Sequence, residues 1–363
     1  MDDKYIDSIE KIISEICPTI VDFQAERIRS SAPTQVSSEF LTNKEQGDWA
    51  EITLLNGINH NSEKYVAVKY GRDDDIIAGD DKFKEFYENY QNELDEIGKR
   101  PDILIFDKKD YPYSTFNISQ MDRDALDQLV PLAKCGIEVR SSAFLFDKYE
   151  HFMDQKQTRL VESALAIKST ILQGYGELLN RKDPALYAII QSIQPENMHV
   201  IRFRCPFWKS SQQLLELTSL LRQLKDNLSE MNKRTFLSIT PKVEDIKVVY
   251  NWIKKYNVPH YYVQVFFDKA YGISYKKILS LISQPDLEGV DYFLESDVKN
   301  QNKTTIKIRA NTEENILENI SLPEHYSQMK ELDRGRLLFY VKFKNSMSSI
   351  NTGAFKKLFG IDL

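Results

Sequence analysis

Two stretches of this chain carry acidic and basic side chains in positions that could do phosphate chemistry. Pro101-Asp102 opens the apolar run Ile103-Leu104-Ile105-Phe106-Asp107, and Gly136-Ile137-Glu138-Val139-Arg140-Ser141-Ser142 forms a second run. Both are short and rich in β-formers, which predicts buried strands. An acid at the mouth of one strand, with a second acid and a cation on its neighbour, can hold Mg²⁺ against a phosphate. Mg²⁺ is a hard ion that takes one or two carboxylates, several waters and a substrate phosphate. Asp102 and Glu138 are the expected carboxylate ligands, and the Val139 carbonyl is a natural further one. The metal would acidify a bound water and offset the charge growing on the phosphorus oxygens. Arg140 cannot act as a base, because guanidinium has a pKa above ~12. Its expected part is to stabilise the developing charge or to orient the water.

The elements that must position these residues follow from periodicity. Residues 4–30 read as a helix with Tyr5, Ile9, Ile12, Ile13 and Ile16 on one face, broken by the polar stretch Ser30–Ser38. Thr42-Asn43-Lys44-Glu45 has the form of a capping box and predicts a helix with Trp49, Ile52 and Leu55 buried. Asp48 and Glu51 lie about one turn apart on it. Lys64–Tyr70 alternates as a strand, and Lys82–Gly98 reads as an amphipathic helix leading into Pro101-Asp102. From Asp147 to about Lys182 the pattern is helical, with Gly174-Tyr175-Gly176 as a weak point. A strand over His199–Arg204 and a leucine-rich helix through Leu217, Leu221, Leu224 and Leu228 follow.

A β–α–β signal comes next. Phe236–Ile239 is the first strand, and Thr240-Pro241 reads as an N-cap with proline at the first helical position. Glu244 and Asp245 favour the positive end of that helix. The apolar run His260–Phe267 predicts a central strand buried on both faces. A helix near Ser274–Ile282 and strands over Thr304–Arg309 and Arg336–Lys344 complete the chain. Three regions are expected: an N-terminal helical segment over 1–40, a core over 41–300 with a helical insertion at about 150–233, and a C-terminal extension over 301–363 packed on the core.

Composition narrows the function classes. The chain has 363 residues, 42% hydrophobic and 28% charged, enough for a sizeable core. No apolar run approaches the ~20 residues a membrane span needs. Cys17, Cys135 and Cys205 are too scattered for a disulfide framework or a zinc cluster, which implies a reducing, cytoplasmic setting. The five histidines lack metal-ligand spacing, and His260 reads as a core or edge residue. No phosphate-cradling glycine loop is present, which argues against nucleotide hydrolysis. Asp73-Asp74-Asp75 with Asp80-Asp81 reads as a solvated loop. A net charge of −6 requires that any nucleic-acid contact be made by a local basic surface. Lys303, Lys307, Arg309, Arg334, Arg336, Lys342 and Lys344 are the candidates.

Pro101-Asp102 with Glu138-x-Arg140 resembles the PD-(D/E)xK nuclease superfamily, to which most type II restriction endonucleases belong. Ser141-Ser142-Ala143-Phe144, Leu237 to Asp245 and Val258 to Asp268 are similar to segments of restriction enzymes in that superfamily. The resemblance covers roughly residues 40–270. It implies an α/β (α+β) fold, a mixed central sheet flanked by helices. It also implies Mg²⁺-dependent cleavage of both strands of a short, palindromic duplex site by a two-fold homodimer, with a companion DNA methyltransferase acting on the same site. The superfamily usually has lysine where this chain has Arg140, and Lys242 is the candidate to supply it. It often carries a further acid on the helix before the sheet, which matches Glu51. The spacing from Asp102 to Glu138 is long, so residues 107–132 must form an excursion with a short helix around 124–133. A structure- or damage-directed repair nuclease and a non-catalytic DNA-binding protein are the alternative readings.

Overall fold

The computed structural model describes residues 5–72, 76–297, 303–333 and 335–363. Asp73–Asp75, Arg334 and the first residue of the expected N-terminal helix lie outside the described residues. The chain separates into two compact units, one of residues 1–146 with 237–363 and one of residues 147–236.

In the larger unit, α1 (Tyr5–Ile13) is followed by α2 (Ser38–Asn61), β1 (Tyr65–Lys69), α3 (Phe83–Glu96) and β2 (Ile103–Asp107). The excursion contains α4 (Arg123–Leu129) and leads into β3 (Cys135–Ser141). The smaller unit holds α5 (Phe146–Lys182, with its first residue in the larger unit), α6 (Pro184–Ser192) and α7 (Gln212–Met231). The larger unit resumes with β4 (Ser238–Ile239), α8 (Val243–Tyr256), β5 (His260–Val265), β6 (Ala270–Ser274) and α9 (Tyr275–Ile282). It ends with β7 (Tyr292–Asp297), β8 (Lys303–Arg309), β9 (Glu314–Glu318), β10 (Glu324–Glu331), β11 (Leu337–Lys344), β12 (Ser349–Ile350) and α10 (Thr352–Phe359).

The main sheet runs in the order β1-β2-β3-β5-β6-β9-β12. The β3–β5 pair is parallel and the other neighbours are antiparallel. This is the mixed α/β sheet flanked by helices that the resemblance implies. β5 is central and almost wholly buried, as its apolar run requires. Because side chains alternate across a strand, Ile103, Ile105, Cys135, Ile137 and Val139 share one face, where they pack with Trp49, Ala50, Leu54 and Ile58 of α2. Trp252 of α8 lies against Gly136 and Tyr70 instead.

Several local expectations change for identifiable reasons. The N-terminal helix stops at Ile13, and Pro18 follows within five residues, so the periodic run to residue 30 is not one helix. α2 begins earlier than the Thr42 box, at Ser38, with Ser37 as the cap accepting from the Phe40 amide at 3.0 Å. The Thr42 hydroxyl, now inside the helix, accepts from Val341 of β11 at 3.2 Å. Thr240 likewise bonds Gln264 at 3.0 Å, the Pro241 carbonyl accepts from Ile306, and α8 starts after Lys242. α5 passes unbroken through Gly174 and Gly176.

Residues 199–204 form no strand. Their alternation is still used: Ile201, Phe203 and Cys205 pack on the leucine core of α5, α6 and α7, while Arg202 and Arg204 face solvent. The expected basic surface is divided, with Lys303, Lys307 and Arg309 on β8 of the β4-β8-β7 sheet and Lys342 and Lys344 on the β10–β11 ribbon.

Candidate active site

The β2–β3 ladder pairs Ile103 with Ile137, so the next positions outward are Asp102 and Glu138. The ladder ends there because a side chain replaces the backbone acceptor: Asp102 Oδ2 accepts from the Val139 amide at 2.7 Å. The Asp102 carbonyl in turn accepts from the amides of Tyr70 and Gly71 at 2.8 and 3.0 Å. A Cβ at position 71 would lie 3.1 Å from Asp102 Oδ1, so glycine there lets β1 approach the carboxylate. Asp102, Glu138 and Arg140 are thus brought together, despite the long spacing between the two strands.

Glu138 is only 2% exposed, and its two oxygens have different surroundings. Oε1 pairs with Lys99 Nζ at 2.6 Å and with Arg140 Nη2 at 2.9 Å. Both cations also meet Asp245 Oδ2, each at 2.8 Å. Two carboxylates and two cations thus close a four-membered ring of ion pairs. Among the described residues Glu138 Oε2 is buried with no hydrogen-bond partner. Such an orphaned carboxylate oxygen is costly unless something positive or hydrogen-bonding meets it.

Lys99 and Asp245 are the participants that sequence reasoning missed as site residues. Lys99 follows Gly98, whose φ of +82° suits glycine. A Cβ on Gly98 would overlap the Val248 carbonyl, and the Lys99 amide donates to that same carbonyl at 2.9 Å. The close approach seats Lys99 against α8, whose first turn carries Asp245. The one local signal for Lys99 was its place three residues before Asp102.

Lys242 is the N-cap residue of α8, where its carbonyl accepts from the Asp245 amide at 3.1 Å. Loss of water, then the nearby Arg140 charge, lowers the pKa of its ammonium despite Asp245. Glu51, on α2, lies 4.0 Å from Lys69 Nζ. Val139 gives its amide to Asp102, and His260 is a buried core residue held neutral by loss of water, its pKa pushed down to about 3.

The carboxylates repel one another. Desolvation, then Glu138 and Glu51, raise Asp102 well above the ordinary aspartate range. Desolvation raises Glu51 to about 7, opposed by Lys69 and aided by Asp48 and Glu138. Asp245 goes the other way, far below the usual range, because the Lys99 and Arg140 charges outweigh its burial. Lys99 and Arg140 are both held more firmly protonated by Asp245 and Glu138 despite burial.

On this edge the cations meet Glu138 Oε1 and Glu51, and Glu138 Oε2 is left unpartnered among the described residues, whereas Asp245 is matched by Lys99 and Arg140. A divalent cation fits that orphaned oxygen, together with Asp102 and, nearby, Glu51. Among the described residues no group of three or more acidic, imidazole or thiol side chains could hold a metal ion.

A mixed sheet flanked by helices, with acids and cations gathered where two antiparallel strands end, defines a restriction-endonuclease-like core. A sequence model described as AccI restriction endonuclease matches residues 3–363, so the chain belongs to the AccI restriction endonuclease family. Membership makes it a hydrolase acting on DNA, a site-specific endonuclease of a restriction system. No curated protein and no solved structure gives a significant match. No described helix is long and apolar enough to cross a membrane.

Proposed function

We propose that the protein is a type II enzyme that cuts both strands of a short palindromic duplex site with Mg²⁺, through a Glu-Val-Arg variant of the PD-(D/E)xK motif. The observation that carries this reading is the pairing of Asp102 with Glu138 at the strand ends, with one Glu138 oxygen left unpartnered and two cations on the other. Bound between these acids, with the Val139 carbonyl and Glu51 as further donors, Mg²⁺ would supply an acidified water and a counter-charge for the phosphate.

The remaining roles belong to this chain's own side chains. Lys99 and Arg140 stabilise the charge that develops on the phosphate oxygens, and Asp245 holds both cations in place. Lys242 adds positive potential at the N-terminus of α8. Two-fold symmetry of the DNA site calls for a homodimer with one active site per strand, in a cytoplasmic setting where a companion methyltransferase protects the same sequence.

Incubation with DNA of known sequence and Mg²⁺, followed by mapping of the ends, should give discrete fragments with symmetric cuts. Asp102→Ala and Glu138→Ala should each lower the rate by at least roughly 10²- to 10³-fold while duplex binding remains measurable. Cleavage at the wild-type rate by either variant would remove that residue from the site. Fragments confined to junctions, flaps or lesions would point instead to a repair nuclease.

A further inference from the structure

Beside Asp102 the larger unit contains a cavity of about 650 Å³. One wall is the aromatic face of α3, formed by Phe83, Phe86, Tyr87 and Tyr90, and the floor reaches Lys99, Arg100 and Asp102. The Arg72 guanidinium lies over the Phe86 and Tyr90 rings, 5.3 and 5.7 Å from their centroids.

The charge around this cavity is unusual. Glu93, only 7% exposed, is the shared partner of Arg100 at 2.6 Å and of Arg72 and Arg123, each at 3.4 Å. Three guanidinium groups on one carboxylate leave a local excess of positive charge. Among the described residues Arg72 Nη1 is buried without a hydrogen bond. An anion with a flat apolar portion complements such a site.

Resting on the reading of this chain as a DNA endonuclease, we infer that the cavity receives one nucleotide unstacked from the substrate duplex, close to the bond that is cut. Its base lies on the Phe86–Tyr87–Tyr90 wall, and its phosphate faces Arg72 and Arg100. The volume lies within the range of ordinary ligand pockets and suits a single nucleotide, whereas a base pair left in its stack cannot enter it. Continuity with Asp102 makes substrate DNA the occupant, because the cavity is lined by an acid of the catalytic edge itself. Aromatic faces accept any base by stacking, and extrusion costs least where pairing is already lost.

The test walks a single mismatch along a duplex that carries the mapped cleavage site and measures binding without divalent metal. A mismatch at one position near the cut should tighten wild-type binding by about tenfold or more. Phe86→Ala and Tyr87→Leu should weaken binding of the matched duplex by about five- to hundredfold and lose most of that gain. Tyr87→Leu keeps the bulk of the wall should Phe86→Ala fail to fold, and thermal melting identifies that case. If wild type cuts the matched duplex but no mismatch tightens binding, or if the gain survives in both variants, the cavity takes no nucleotide and the nuclease reading stands. If wild type neither binds nor cuts any duplex, the nuclease reading falls and this inference with it.

Discussion

Two buried charge clusters flank Asp102, and they are built to opposite sign. On one side Glu138 and Asp245 share Lys99 and Arg140, while Asp102 and Glu51 add acids, with Lys69 4.0 Å from Glu51. On the other, Glu93 faces Arg72, Arg100 and Arg123. Lys99 and Arg100 are adjacent in sequence and serve opposite clusters, as neighbours in extended chain point to opposite sides. The contrast teaches how one short segment can serve two clusters of different charge balance. Neither cluster is an efficient device for stability, since buried charges rarely repay their desolvation. Their imbalance makes sense as complementarity to a metal on one side and phosphate on the other.

The comparison breaks first at Lys99. Lys99→Met should slow cleavage by roughly 10²- to 10³-fold, as expected for a donor aimed at transition-state charge. Lys242→Met should cost much less. Rate measurements at saturating Mg²⁺ decide between them, and a larger loss at Lys242 would move the lysine role to the start of α8.

The arginine cluster is tested through stability. Glu93→Gln removes the carboxylate shared by three guanidinium groups and should destabilise the fold by about 3 kcal/mol. In a unit of this size that lowers Tm by roughly 6–12 °C. Inorganic phosphate should restore more of the loss in the variant than it adds to wild type. Equal phosphate effects on both proteins would mean that the cluster holds no anion.

The smallest expected effect concerns pH. Glu51 has a folded pKa of about 7, above its unfolded value of ~4.3. The folded state therefore binds the proton more tightly, and this contribution to stability is lost as pH rises through that window. Asp102, raised for related reasons, acts in the same direction. Metal-free protein should lose a few degrees of Tm between about pH 5 and 8, and Glu51→Gln should flatten that slope. Mg²⁺ affinity should run the opposite way, rising with pH as the acids ionise. Calorimetry and metal titration across pH check both signs, and identical slopes in wild type and Glu51→Gln would remove Glu51 from the site.

The strands that carry Asp102 and Glu138 were legible because a short apolar run of β-formers specifies a buried strand almost regardless of context. The β–α–β block over residues 236–267 was legible for the same reason. Helix starts were less so: Ser37, Thr42 and Thr240 all have capping chemistry, and which hydroxyl caps depends on where β5 and β11 lie. The alternation in residues 199–204 specified which side chains would be buried, but a strand also needs a neighbour to pair with.

The sequence by itself thus determined the strand-borne acids and Arg140, since these follow from local pattern and from register one residue beyond a ladder. Tertiary structure alone brought a lysine to these acids. Lys99 reaches Glu138 across 39 residues and Asp245 across 146. Nothing in local periodicity reports which distant charge a side chain will meet. That pairing required β3 to lie beside β2, α8 to pack against Gly136 through Trp252, and Gly98 to admit a close backbone approach. Asp102, read first as one of two acids that could hold a metal, becomes the dividing point between an edge that needs a cation and a cavity that needs an anion.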